Sequence, residues 1–139
     1  MCGRNRRGRD KTVVEKTFAE RVAEAKAEVP AVTPREAKEA REREPGTVFI
    51  DPRDADGIAS STGMIPGALN LPLAMLNGSS EGNFPGELAS RERPIITACQ
   101  GGPMGAVAAH ALMRRGYTNV RFMEGGTQGW LDAGYETVR

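Results

Sequence analysis

The sequence lacks a long hydrophobic run and has few of the residues that build metal sites. Its 139 residues include two cysteines and one histidine. Because one histidine and two distant cysteines cannot assemble a closed site, we predict neither a metal nor an organic cofactor. No apolar stretch is long enough for a signal-peptide core or a membrane-spanning helix, so we expect no membrane partner and a cytoplasmic location with reduced thiols.

The chain also lacks an excess of charge of one sign. Its 19 basic and 18 acidic residues give a formal net charge of +1, so no global field favours nucleic acid or an acidic partner. The exception is the opening stretch MCGRNRRGRD, in which arginines stand beside a single aspartate with no apolar anchor. We interpret residues 1–12 as a disordered basic arm.

Hydrophobic periodicity predicts two helices in the first third of the chain. Apolar residues recur at steps of three or four from Val14 to Val29, which indicates an amphipathic N-terminal helix within residues 13–30. A second helix is predicted in VTPREAKEARERE. Its threonine is an N-cap, its proline opens the first turn, and its first glutamate completes a capping box.

The remaining chain alternates β-prone runs with helix-like segments. The runs TVFID, ALNLPL, PIITA and VRFM are rich in apolar and β-branched residues and are too short for helices. A helix is predicted from Met104 to Arg115, and a last helical turn extends through Trp130. Strands that alternate with helices are typical of an α/β fold with a parallel-containing sheet.

Cys99 lies where the run PIITA meets this predicted helix, at the kind of position where open α/β sheets bind ligands. A helix that begins there offers unpaired backbone N–H groups and a partial positive charge, which stabilise a thiolate. Gly101, Gly102 and Gly105 allow the loop to curl so that successive N–H groups converge on one point. From these residues alone, Cys99 is either a nucleophile or a small residue packed at a tight turn.

The single histidine, His110, does not fit a catalytic pair with this cysteine. It follows Cys99 by eleven residues, which places it about 16 Å away along a helix. We expect it on the helix surface or partly buried.

Three segments resemble the rhodanese-like domains in order and spacing: VFIDPRD, GMIPGALNLPL and IITACQGGPMGAVAAHALMRRGYTNVRFMEGGTQGW. The resemblance implies a rhodanese-like α/β fold over residues 31–139, with a central, mostly parallel five-stranded sheet flanked by helices on both faces. It implies a sulfur-carrying nucleophile at Cys99. The other site residues that it implies are Gln100, Gly101, Gly102, Met104 and Gly105 for substrate binding, with Asp51 and Arg53 as structural support.

The loop after Cys99 departs from the commonest loop of that family, which reads Cys-Arg-Ser-Gly-x-Arg-Ser. Gln100 and Met104 replace the two arginines. We expect thiosulfate to bind more weakly as a result, because an arginine would supply charge-assisted hydrogen bonds to a sulfonate. Cysteine phosphatases need an arginine six positions after the cysteine, where this chain has Gly105, so phosphatase chemistry is not predicted.

The sequence therefore predicts a sulfurtransferase or sulfur carrier that forms a persulfide on Cys99 and passes the sulfur to a thiophilic acceptor. The alternative is a non-catalytic rhodanese-like module that binds or regulates a protein. Cys99 favours the first function, and the missing loop arginines favour the second. The predicted partners are a small sulfur-containing substrate, a thiol or protein acceptor, and a second copy of the chain joined through the N-terminal helix.

Overall fold

The computed structural model describes residues 17–77 and 84–139. The basic arm predicted for residues 1–12 lies outside them, as does the beginning of the predicted N-terminal helix. The helices are α1 (Phe18–Glu28), α2 (Pro34–Arg43), α3 (Ala55–Ala59), α4 (Leu73–Asn77), α5 (Pro103–Arg114) and α6 (Gly126–Asp132). The strands are β1 (Ala31–Val32), β2 (Val48–Asp51), β3 (Leu69–Asn70), β4 (Ile95–Thr97) and β5 (Val120–Met123).

The five strands form one sheet in the order β1-β5-β4-β2-β3. All of its strand pairings are parallel, so the predicted α/β class and five-stranded sheet are confirmed. The runs TVFID, ALNLPL, PIITA and VRFM supply four of the strands. The fifth, β1, was not assigned from the sequence because it has only two residues, which pair with Phe122 and Met123.

Helices cover both faces of the sheet, as expected. Within β2, Val48 and Ile50 belong to one buried cluster and Phe49 to another, because successive side chains of a strand point to opposite faces. The first cluster includes residues of α1, α4 and α5, and the second includes residues of α2 and α6. The sheet is therefore buried on both sides, which is why its strands are nearly uniformly apolar.

The N-terminal helix α1 packs against α5 on this first face. Ala25 is fully buried and Val29 nearly so, and the carboxylate of Glu28 lies 2.8 Å from Nε2 of His110. His110 is thus buried, more deeply than the helix-surface or partly buried position expected for it, because α1 packs over this part of α5. The inner face of α1 is occupied within the chain.

Helices α1 and α2 begin with capping boxes of the same kind. The threonine at each N-cap accepts a hydrogen bond from a backbone N–H three residues later, and the glutamate there accepts one from the threonine N–H. The box predicted for α2 is confirmed, with Thr33 and Glu36 as its members. None of the helices in the described part of the chain is long and apolar enough to cross a membrane.

Candidate functional site

The candidate site lies where β4 ends and α5 begins. Ala98 still follows the sheet, since its N–H donates to the carbonyl of Ile50 at 2.9 Å. The next four residues, 99–102, form a turn that we call the Cys loop, and Pro103 is the first residue of α5. The carboxyl end of an inner strand and the N-terminus of a long helix therefore converge on Cys99.

The thiol of Cys99 is held by the backbone of this loop. Its Sγ accepts a hydrogen bond from the N–H of Gly102 at 2.9 Å, and Cys99 is only 3% exposed. Gly102 has φ +116, a conformation that residues with a Cβ rarely adopt. Pro103 contributes no N–H. The sulfur thus accepts a hydrogen bond from the backbone of Gly102 at the N-terminus of α5. The partial positive charge of a helix N-terminus stabilises an anion there.

The first turn of α5 lies tightly against the end of β4. The hydroxyl of Thr97 donates to the carbonyl of Gly105 at 2.6 Å. A Cβ added to Gly105 would lie 3.3 Å from the backbone nitrogen of Cys99, a separation that leaves little space for a larger residue. Gly105 is buried and brings helix and strand together behind the thiol.

A second helix start supports the Cys loop from outside. The N–H of Thr127 donates to the carbonyl of Cys99 at 2.6 Å, and that of Gln128 to the carbonyl of Gln100 at 3.0 Å. Gly126 makes this approach possible, because its φ is +58 and an added Cβ would lie 2.5 Å from the carbonyl oxygen of Cys99. Sequence reasoning gave no role to this residue, although the adjacent pair of glycines before Trp130 was a visible signal.

The other predicted loop residues differ in exposure. Gln100 and Gly101 are exposed, Met104 is half-buried and Gly102 is buried. None of these residues carries a charge. A sulfur donor that binds here would therefore meet backbone groups and the neutral side chains of Gln100 and Met104.

Asp51 and Arg53 form a buried ion pair at the end of β2. The guanidinium donates from Nε to Oδ1 at 3.0 Å and from Nη2 to Oδ2 at 2.6 Å. Arg53 also donates to the carbonyl of Gly63 and to the hydroxyl of Ser61. This guanidinium is engaged in holding the loop after β2 and does not replace the missing loop arginines.

Trp130, in the last helix, belongs to the core. It is 3% exposed and meets Phe49 edge to face at 5.8 Å between ring centroids. Its Nε1 donates to the carbonyl of Glu136 at 2.7 Å. Within residues 17–77 and 84–139, His, Cys, Asp and Glu side chains form no group of three or more that could hold a metal ion.

A pocket of about 390 Å³ lies beside the Cys loop, and we call it the loop pocket. Its lining combines the exposed side of the Cys loop with α1, β1 and the end of β5. The lining residues are Lys26, Ala31, Gly101, Gly102, Phe122, Glu124 and Gly125. Sequence reasoning missed Lys26 and Glu124, which are distant from Cys99 in the chain and carry no motif.

Comparisons with known proteins agree on this architecture. The model of the rhodanese-like domain matches residues 33–133, and a comparison with curated proteins found no match. A Rhodopseudomonas palustris protein of unknown function, described as a possible tyrosine phosphatase, has TM-score 0.74 and 24% identity, over 93% of this chain and 99% of its own.

Two further solved structures share the fold. The polysulfide-sulfur transferase homodimer of Wolinella succinogenes has TM-score 0.69 and 22% identity, over 87% of this chain and 86% of its own. A rhodanese-related protein of Thermoplasma volcanium has TM-score 0.63 and 22% identity, over 78% and 97%. The central sheet and the helices on its two faces are thus features of a known fold.

Proposed function

The chain belongs to the rhodanese-like domain family, and on this premise we propose that it is a sulfurtransferase or sulfur carrier that works through a persulfide on Cys99. The family includes sulfurtransferases, and one similar structure is that of a polysulfide-sulfur transferase. Both support the reaction class. The residues proposed to contact the donor are the Cys loop together with Met104 and Gly105.

The reaction proceeds in two half-reactions. In the first, the Cys99 thiolate attacks the outer sulfur of the donor, a bond forms between the two sulfurs, and the rest of the donor leaves with the electron pair of the broken bond. In the second, a nucleophilic acceptor attacks the outer sulfur of the persulfide. Cys99 then leaves as thiolate, which returns the protein to its starting state.

One contact carries this proposal: the hydrogen bond from the N–H of Gly102 to Sγ of Cys99. A backbone donor aimed at a thiol at a helix N-terminus stabilises the thiolate that attacks and the thiolate that leaves. Such stabilisation does not need a histidine beside the sulfur.

We expect donor binding to depend less on contacts to a sulfonate group than it does in relatives with loop arginines. Gln100 and Met104 give no charge-assisted hydrogen bond to thiosulfate, so classical thiosulfate activity is proposed to be weak. Mercaptopyruvate and low-molecular-weight persulfides are the other donors to compare. Phosphatase activity is disfavoured, because the position that needs arginine in cysteine phosphatases is Gly105.

A non-catalytic binding or regulatory module remains the second candidate. Two observations favour it: Cys99 is almost fully buried, and no charged side chain occurs from residue 100 to residue 105. A module of this kind would bind a partner protein and would not accept sulfur.

The proposed acceptor is a small thiol or a protein thiol, in a compartment that keeps Cys99 reduced, such as the cytoplasm. A homodimer through α1 is also proposed, in line with the homodimeric Wolinella relative. Such a dimer would use the outer face of α1, on which Phe18 is 50% exposed, because the inner face packs on α5.

Steady-state turnover separates the two functions. Thiosulfate, mercaptopyruvate and cysteine persulfide are each supplied with cyanide as acceptor, and thiocyanate is measured for the wild type and for Cys99→Ser. We expect thiocyanate from at least one donor with the wild type and background formation with the variant. Background rates with all three donors would support the binding module instead.

A further inference from the structure

Two residues of opposite charge line the loop pocket. Lys26 belongs to the last turn of α1 and Glu124 follows β5, and both are exposed at the pocket. Among the contacts of the described residues, neither side chain forms an ion pair or a hydrogen bond. One residue with an ammonium group and one with a carboxylate therefore line the same pocket, and no ion pair joins them in the described part of the chain.

The rest of the lining leaves room for a ligand beside the Cys loop. Gly101 has no atom within 4 Å of an added Cβ, so the wall of the Cys loop is open there. Gly102 lines the pocket and also donates to Sγ of Cys99. Phe122 gives the lining an apolar side chain. A volume of about 390 Å³ falls in the range of small-molecule sites.

This arrangement of charges discriminates between donor classes. Thiosulfate is a dianion, so Glu124 would repel it as Lys26 attracts it. An α-amino acid head group carries one carboxylate and one ammonium, and it offers an opposite charge to each of the two side chains. A zwitterion also adds no net charge to the pocket.

Resting on the sulfur transfer proposed above, we propose that the donor is a zwitterionic amino acid persulfide of the cysteine type. Lys26 receives its carboxylate and Glu124 its ammonium, which positions the sulfur end toward the Cys loop. The N-terminal helix, which precedes the family match at residues 33–133, thereby contributes a specificity-determining residue.

The transfer step balances without an oxidant or reductant. The Cys99 thiolate attacks the outer sulfur of the persulfide R–S–SH. A bond forms between Sγ and that sulfur, the donor S–S bond breaks, and R–S⁻ leaves with the electron pair. The proton stays on the transferred sulfur, so the products are the Cys99 persulfide and the thiolate of the parent amino acid.

The test supplies the 139-residue chain with three persulfides. They are cysteine persulfide, mercaptopropionate persulfide, which lacks the ammonium, and cysteamine persulfide, which lacks the carboxylate. Values of kcat/KM are measured for the wild type, Lys26→Gln and Glu124→Gln. Arg21→Gln, on the same helix outside the pocket, and Glu44→Gln, an exposed glutamate elsewhere, are the matched charge controls.

We expect Lys26→Gln to lower kcat/KM by about tenfold for the two donors with a carboxylate and to leave cysteamine persulfide unchanged. Glu124→Gln is expected to lower kcat/KM by about tenfold for the two donors with an ammonium and to leave kcat/KM for mercaptopropionate persulfide unchanged. Both control variants should match the wild type with every donor.

Equal effects of Lys26→Gln on all three donors, or no effect on any, would overturn the assignment of this pocket. The same holds if the control variants lower kcat/KM as much. In those cases the sulfurtransferase proposal still stands, because the wild type turns over. If the wild type accepts sulfur neither from the three persulfides nor from thiosulfate, the sulfurtransferase proposal fails, and this inference fails with it.

Discussion

Individual glycines shape the surroundings of the thiol more than any charged side chain does. Gly102 turns its N–H toward Sγ, Gly105 lets α5 approach the end of β4, and Gly126 lets α6 approach the carbonyl of Cys99. At each position a Cβ would meet the backbone or require an unfavourable φ. The reactivity proposed for Cys99 is therefore built from main-chain atoms.

Gly126→Ala tests this dependence. An alanine there must adopt φ +58 and place its Cβ 2.5 Å from the carbonyl of Cys99, so we expect a loss of about 2 kcal/mol or more in the free energy of unfolding. Urea denaturation measures this loss. The control, Gly57→Ala in α3, has open space around the added Cβ and should change stability by no more than about 1 kcal/mol.

The same approach of α6 should matter for reactivity. A folded fraction of the Gly126→Ala protein is expected to take up sulfur more slowly than the wild type, since the Cys loop has moved. Gly126→Ala with wild-type stability would contradict the close packing of α6 on the Cys loop.

Met104→Arg tests the account of the loop. Met104 is half-buried in the first turn of α5, at a position where the common family loop has arginine. We expect the variant to raise kcat/KM for thiosulfate by about tenfold, because a charge-assisted hydrogen bond to the sulfonate is restored. Met104→Leu is the control, and unchanged thiosulfate turnover in a folded Met104→Arg protein would show that the missing charge is not the limitation.

At the scale of elements, α5 connects the site to the rest of the fold. Its N-terminus holds the Cys loop, its side chains are buried from Gly105 to Leu112, and α1 covers its outer face through Ala25 and Val29. Because a buried helix is closely packed, a change in the contact between α1 and α5 should alter the free energy of unfolding of the domain.

Ala25→Asp tests that contact. Ala25 is fully buried, and a carboxylate placed there without a partner is expected to lower the free energy of unfolding by about 3 kcal/mol. Ala23→Asp, exposed on the same helix, should cost less than about 1 kcal/mol. Equal effects of the two substitutions, measured by urea denaturation, would mean that α1 does not dock on α5.

Elements with a strong local signal could be predicted from the sequence. Helix α2 has a capping box and a proline at its first position, and the inner strands are short apolar runs between loops. Strand β1 could not be recognised, because its two residues form a strand only by pairing with β5. Helix α4 was missed for a similar reason, since its five residues are too few to show a periodic pattern. Its contribution to the core, through Leu76, is visible only in the fold.

The candidate site was predictable only where its residues are close in sequence. Cys99 and its glycines follow one strand, and the chemistry of a strand end and a helix start identifies them. Lys26, Glu124 and Gly126 contact the same region from other elements, and only the fold shows that they meet there.

At the scale of the whole molecule, the near balance of charge leaves recognition to local groups. A net charge of +1 gives no long-range attraction for anionic sulfur donors. We therefore expect selectivity to come from the Cys loop and from the pocket beside it, which Lys26 and Glu124 line. The N-terminal helix completes this pocket, although it precedes the segment that matches the family.

The central claim is that Cys99 carries sulfur, and intact mass spectrometry tests it directly. The wild type is incubated with cysteine persulfide and separated from the excess donor. Its intact mass is then measured before and after treatment with cyanide. We predict the added mass of one sulfur atom, its removal by cyanide, and no addition at this site in Cys99→Ser. An unmodified wild type, or equal sulfur uptake by Cys99→Ser, would contradict the account.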